Sequence, residues 1–163
     1  MSGVESALSI SSSAGAERPL LSICIPTYNR APLLRNCLAS IRTALADGAC
    51  CVQVCVSDNG STDATSDVLH EAGERGQLKV LRHAQNRGMP RNFLSAVSMA
   101  DGDFVWLLGD DDLVLPDGIT TLCRLLTSHS SADFFFVNAF HLEAEYVHGF
   151  PQPFSTHNLP DVM

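Results

Sequence analysis

Short apolar runs alternate along this chain with longer stretches in which apolar side chains recur every three or four residues. The first run, 20–26, is apolar almost throughout and closes on Pro26, the pattern of a strand buried on both faces. Leu34, Cys37, Leu38, Ile41 and Leu45 then recur at helical spacing, with Gly48 where a helix would stop. A second run, 51–57, precedes Asn59, Gly60, Ser61, Thr62 and Asp63, which supply turn residues, an N-cap and an acid for a first helical turn; Val68, Leu69 and Ala72 continue as a helix. A third strand is expected at 78–81, a third helix at 90–100 with Phe93, Val97 and Ala100 on one face, and a fourth strand at 103–108. Pro116 and Asp117 open a further amphipathic stretch carrying Ile119, Leu122, Leu125 and Leu126, and 133–140 reads as an aromatic-rich fifth strand.

Alternating strands and helices predict an α/β fold, a mostly parallel sheet flanked by helices on both faces. In such sheets ligands bind beyond the carboxyl ends of the strands, so polar residues there are read for function first. Residues 1–18, rich in Ser, Ala and Gly, read as a flexible leader, 19–147 as the domain, and 148–163, with three prolines and no periodicity, as an irregular tail. A fifth strand followed by unpatterned sequence leaves an uncovered sheet edge, which predicts marginal solubility or self-association through it.

The length of 163 residues suits one domain with a real core, and 45% hydrophobic against 17% charged residues is too apolar for a disordered chain. A formal charge of -8 repels nucleic-acid backbones and anionic lipid, so a phosphate ligand needs local compensation such as a carboxylate-held cation. The six cysteines lack CxxC spacing and are scattered through apolar stretches, which fits buried hydrophobes in a reducing cytosol better than zinc or a disulfide framework. No run is long enough to span a bilayer, and the amino terminus lacks signal-peptide character, so a cytoplasmic location is expected.

Polar clusters stand at three strand ends: Pro26, Thr27, Tyr28, Asn29 and Arg30 after the first, Asp58 to Ser61 after the second, and Gly109, Asp110, Asp111 and Asp112 after the fourth. Three consecutive carboxylates behind a dry strand are unfavourable unless a cation or hydrogen-bond donors compensate them, and hard oxygen ligands of this kind suit Mg²⁺ or Mn²⁺. Alone, Asp58 also reads as an Asx-turn or cap, Tyr28 as a packed aromatic and Thr27 as a strand-end hydroxyl. Asn86, Arg87, Gly88, Arg91 and Asn92 surround the start of the third helix, where basic side chains and helix N-terminal amides can meet a diphosphate; solvated arginines on a surface turn are the plainer alternative. The six histidines lack metal-ligand spacing, and His141 and His148 read as surface or core residues.

Taken together, the stretches 22–30, 56–63, 86–88 and 106–112, the last followed by Leu115 and Pro116, resemble the family 2 glycosyltransferases of the GT-A fold. The likeness runs from about Leu20 to Phe140 and keeps the motifs in the family's order. It implies a Rossmann-like nucleotide-binding half and a nucleotide-diphosphate sugar whose base lies against Pro26, Thr27, Tyr28 and Asp58. Ribose and metal-bound diphosphate are then implied near Asp110, Asp111 and Asp112, with Mn²⁺ or Mg²⁺ as cofactor. The family's acidic motif takes the form D-x-D-D or D-D; the first position of the longer form falls on Gly109, and Asp111 is the first choice as metal ligand. The resemblance also implies inverting transfer to a glycan or lipid-linked acceptor, with the likeness strongest to bacterial enzymes of surface polysaccharide synthesis, so that a position at the inner face of the membrane is an option. The family's general base comes from the later, acceptor-binding half, which implies a base beyond Met163 and a chain that binds donor without transferring sugar; Glu143 and Glu145 are not nominated.

A non-catalytic nucleotide or metal-binding module is the main alternative. Phosphoryl-transfer domains gather aspartates at similar strand ends but place one directly after the first strand, where this chain has Pro26, Thr27 and Tyr28. Neither G-x-G-x-x-G nor a P-loop is present.

Overall fold

The computed structural model describes residues 18–46, 51–76 and 78–137. Eight elements follow one another in strict alternation: β1 (Leu21–Thr27), α1 (Ala31–Ala44), β2 (Val52–Asp58), α2 (Thr65–Arg75), β3 (Leu78–Arg82), α3 (Met89–Ser98), β4 (Phe104–Leu107) and α4 (Gly118–Ser128). The strands form one parallel sheet in the order β3-β2-β1-β4. All seven residues of β1 are buried, as its central place in the sheet requires and as its largely apolar run foretells.

The connections explain where the helices lie. From β1 through β2 to β3 the chain steps outward in one direction, and it then returns past β1 to form β4. Right-handed crossovers therefore place α1 and α2 on one face and α3 on the other. Side chains of alternate parity obey this division. Leu21, Ile23, Ile25, Val54 and Val56 join Leu34, Ile41, Val68 and Ile119 in the larger core, whereas Cys24 and Cys55 meet Ala96 and Met99 of α3. The order of strands reverses between β1 and β4, which is where a doubly wound sheet opens a crevice at its carboxyl edge.

Two expectations need correcting. Phe93 and Val97 do not form the buried stripe of α3; Asn92, Ala96 and Met99 do, and Phe93 and Val97 face outward. On this side the sheet presents Ser57 and the carbonyl of Thr27, so the helix turns a polar residue inward to meet them. The fifth strand is not formed over 133–137, and 138–140 lie outside the described residues. The alternation there is real, since Phe134 and Phe136 are exposed while Phe135 packs edge-on against Phe104 with ring centroids 5.8 Å apart, but among the described residues β4 pairs as a strand with β1 alone. Periodicity set the facing of these rings without supplying a ladder partner.

Cys51 is exposed rather than buried, and Cys123 is disulfide-bonded, contrary to the reading of all six as buried thiols. Arg18, placed at the end of the leader, donates to the Asp101 carbonyl at 3.0 Å and pairs with Asp103. Residues 1–17, the tail 148–163 and the late residues His141, Glu143, Glu145 and His148 lie outside the described residues. Among the described residues no helix is long and apolar enough to cross a membrane.

Candidate nucleotide-sugar site

The carboxyl ends of β1, β2 and β4 carry the polar clusters, and tertiary hydrogen bonds lace them together. Pairing between β1 and β4 ends at Cys24 and Leu107, with the Leu108 amide donating to the Cys24 carbonyl at 3.0 Å. Pro26 has no amide hydrogen to extend a ladder. Thr27 and Asp110 meet across the crevice beyond that point: the Thr27 hydroxyl donates to Asp110 Oδ2 at 2.7 Å, and Asp110 is itself buried. Arg30 donates to Asp110 Oδ1 at 3.1 Å and to Asp111 Oδ2 at 3.0 Å. The hydrogen bond to Asp110, followed by the charges of both carboxylates, raises the Arg30 pKa above its ordinary value.

The acidic turn is thus compensated by donors of this chain. Asp112 folds back so that Oδ2 accepts from the Gly109 amide at 3.1 Å. Carboxylate oxygens of Asp111 and Asp112 lie 2.8 Å from where a Cβ on Gly109 would stand, so a side chain here would push those two carboxylates aside. Helix α1 supports the turn from beneath: the Cys37 thiol donates to the Gly109 carbonyl at 3.6 Å, and Ser40 Oγ accepts from the Val114 amide at 3.0 Å. Burial, then the carboxylates of Asp110, Asp112 and Asp111, push the Cys37 thiol up to about 12. The three aspartates do not converge on one point, and among the described residues no group of three or more His, Cys, Asp or Glu side chains is placed to hold a metal ion. Asp110 is turned inward and Asp111 is exposed.

The second pole is Asp58, 0% exposed at the end of β2. Its Oδ1 accepts from the Ser61 amide at 2.9 Å, the Asx-turn that the sequence allowed. Its Oδ2 lies 3.3 Å from Arg82 Nε as an ion pair but accepts no hydrogen bond, the only such buried side-chain oxygen or nitrogen among the described residues. The ion pair with Arg82 offsets the cost of burying this charge.

The intervening loops lock the two poles. Asn29 adopts a left-handed φ of 52°, which asparagine accepts more readily than most residues, and its amide donates to Ser61 Oγ at 2.8 Å while its Oδ1 accepts from the Thr62 amide. Asp63 Oδ2 accepts from the Ala31 amide at 3.0 Å and so provides the acid at the α1 N-terminus that α1 itself lacks. Hydrogen bonding by Thr65 is the main cause that lowers the Asp63 pKa; burial opposes it, and backbone amides including that of Ala31 add to the lowering. Gly60, with φ 78°, brings the loop within 2.8 Å, at the Cβ position, of the Gln85 backbone, so only glycine fits. Asn59 then joins the β3–α3 loop, donating to Asn86 Oδ1 and accepting from the Arg87 amide, and Asn86 Oδ1 also accepts from the Gly88 amide.

Of the residues nominated from the sequence, Thr27, Asn29, Arg30, Asp58, Asn86, Gly88 and Asp110 belong to this single network. Tyr28 and Arg91 are exposed at its rim. Sequence reasoning passed over Arg82, Cys37 and Ser40, read Ser61 and Asp63 only as turn and helix-start residues of their own loop, and placed Asn92 toward the phosphates, although its side chain is buried beneath the strand ends. For Asn92 a signal existed: it shares helical spacing with Ala96 and Met99.

This α/β frame with its acidic strand end matches a known family along most of its length. Residues 22–155 match Glycosyl transferase family 2, and the chain belongs to that family. It is 36% identical over 113 residues to the abequosyltransferase RfbV of Salmonella typhimurium, covering 68% of this chain and 34% of that protein. It is 33% identical over 102 residues to the chondroitin synthase of Pasteurella multocida, covering 62% of this chain and 10% of that protein. Its fold superimposes on the mannosyltransferase PcManGT of Pyrobaculum calidifontis, solved with GDP-Man and Mn²⁺, with a TM-score of 0.58 and 26% identity over 70% of this chain and 33% of that one. For S. aureus TarS 1-349 in complex with UDP the TM-score is 0.61 at 25% identity, over 68% of this chain and 32% of that one. The chain therefore spans about a third or less of the length of each of these proteins.

Proposed function

We propose that this chain forms the donor site of an inverting glycosyltransferase that takes a nucleoside-diphosphate sugar. The observation that carries the reading is a pair of buried carboxylates at neighbouring strand ends, Asp58 on β2 and Asp110 beyond β4, with Thr27 at the end of β1 holding Asp110 between them. In this reading the nucleobase lies toward Asp58, and the exposed ring of Tyr28, next to Thr27 in sequence, packs against the base. In this reading Pro26, Thr27, Asn29 and Arg30 lie along the nucleotide, and Asn86, Gly88 and Arg91, around the start of α3, meet the diphosphate.

The donor set fits Mn²⁺ or Mg²⁺. Asp111 offers an exposed carboxylate, and such ions are ordinarily held at nucleotide sites by one or two carboxylates together with substrate phosphates, so three converging protein ligands are not needed. A bound ion would neutralise the departing diphosphate. Asp111 is the leading ligand, with Asp112 and the inward Asp110 behind it; Asp110 serves chiefly to fix the turn through Thr27 and Arg30. Arg30 is also free to shift from Asp111 to phosphate, being half exposed at its side chain.

The reaction so supported forms a bond from an acceptor hydroxyl oxygen to the anomeric carbon as the bond to the diphosphate breaks, with a carboxylate base taking the hydroxyl proton. In this reading the acceptor is a glycan or lipid-linked sugar of bacterial surface polysaccharide synthesis at the cytoplasmic face of the membrane; the chondroitin synthase among the relatives supports a glycan product. Titration calorimetry with UDP, GDP, CDP and dTDP, each with Mn²⁺ and with EDTA, tests the reading. Binding of one nucleotide that weakens at least about tenfold in EDTA is expected; no binding of any, or equal affinity in both conditions, overturns it.

A further inference from the structure

Asn92 is 3% exposed, yet it stands on α3, on the opposite side of the sheet from most of the core. Its Nδ2 donates to the Ser57 carbonyl at 3.0 Å and to the Thr27 carbonyl at 3.2 Å, while its Oδ1 accepts from Ser57 Oγ at 2.7 Å. Thr27 is the last residue of β1 and Ser57 the penultimate residue of β2, and one planar amide spans both. These two strand ends carry the two poles of the site: Thr27 donates to Asp110, and Ser57 precedes Asp58.

We infer that Asn92 is the positioning residue of the donor site, an amide clamp that sets the separation of Asp58 from Asp110 by holding the ends of β1 and β2 together from beneath. An apolar residue would satisfy the helix stripe formed with Ala96 and Met99 equally well, so the stripe does not account for asparagine here. The need at this point is for two N–H donors on one rigid side chain, which asparagine supplies and Ser or Asp does not. The Thr27 carbonyl also accepts from the Asn59 amide at 3.0 Å, so the clamp bears on the loop that carries Gly60 and Ser61 as well. Groups that orient binding residues in this way govern affinity without touching ligand.

The clamp rests on the donor-site reading, and two measurements separate them. In ligand-free protein, hydrogen exchange followed residue by residue should show faster exchange in Asn92→Ala at the amides of Asn59 and Ser61, with Ile23 and Val54 unchanged. In calorimetry with whichever of the tested nucleoside diphosphates the unaltered chain binds, Asn92→Ala should lose about tenfold or more in affinity, while the ratio of affinities with Mn²⁺ and EDTA stays the same. Ser57→Ala, which keeps both donated bonds, should stay within about threefold of the unaltered chain. Asn92→Ser, with a single donor, serves if the alanine variant does not fold and should show the same localised pattern. Uniformly faster exchange throughout the sheet, or affinity within about twofold, would overturn the clamp. If the unaltered chain binds none of the nucleotides, the donor-site reading fails and the exchange pattern alone decides the clamp.

Discussion

Thr27 Oγ1 and Asp110 Oδ2 lie 2.7 Å apart, joining residues 83 positions apart in the chain across the one place where the strand order reverses. The bond is buried and the acceptor charged, so it is of the stronger kind. Thr27→Val keeps the shape and removes the hydroxyl, and should cost about 1.5–3 kcal/mol in denaturant unfolding. A double-mutant cycle with Asp110→Asn should recover much of that as coupling energy. Additive effects of the two substitutions would argue that the contact does not hold the acidic turn.

Asp111 is exposed and contributes little to packing, so Asp111→Asn should leave the unfolding midpoint nearly unchanged. It should nevertheless abolish most of the difference between nucleotide affinity in Mn²⁺ and in EDTA. Calorimetry in both conditions separates this from a general loss of binding, which would point to Asp112 or Asp110 as the ligand instead.

Asp58→Ala should behave in the opposite manner. The substitution strands the Ser61 amide and removes the anionic partner of Arg82, which keeps its hydrogen bonds to Ser66 and the Ser61 carbonyl, at a cost of about 1–3 kcal/mol, and it should weaken nucleotide binding by a similar factor with and without metal. The check is thermal unfolding alongside calorimetry; retained affinity would remove Asp58 from base recognition.

Asp63 links acidity to stability. Its hydrogen bonds to Thr65 and to backbone amides lower its folded-state pKa below the ordinary 3.8, so the stabilisation is fully present above that value and is lost as pH falls through the lower folded value. Asp63→Asn should therefore be less stable than the unaltered chain at neutral pH, with the gap narrowing in acid. Parallel denaturant curves from about pH 6 to pH 2 measure the gap, and a constant difference would show that the charge of Asp63 is immaterial.

Thiol chemistry reports on the acidic turn. Cys51 is exposed, whereas Cys37 is buried against Gly109 with its thiol pushed up to about 12 by burial and neighbouring carboxylates. A maleimide at about pH 8 should label Cys51 and spare Cys37 in the folded chain, as peptide mapping by mass spectrometry would show. Prompt labelling of Cys37 would mean that the turn does not sit on α1.

Most of the frame was legible from local pattern. Largely apolar runs become β1 and β2 because a central parallel strand is covered on both faces, and the spacing of Leu34, Cys37 and Ile41 becomes the buried stripe of α1. Strand-end clusters indicated the site because α/β topology brings those ends to one edge. The aromatic run after α4 misled, since alternation describes which way Phe134, Phe135 and Phe136 face but says nothing of a hydrogen-bonding neighbour.

What the order of residues settled was therefore the elements, the fold class and the types of side chain gathered at the crevice, each of which depends on short-range periodicity or on composition at a strand end. The tertiary structure alone decided which of three consecutive aspartates turns inward, that Asp58 Oδ2 pairs with Arg82 without accepting a hydrogen bond, and that the amide of Asn92 spans the carbonyls of Thr27 and Ser57. Those outcomes depend on donors and carbonyls brought from up to 83 residues away, and no local pattern encodes the separation of two strand ends.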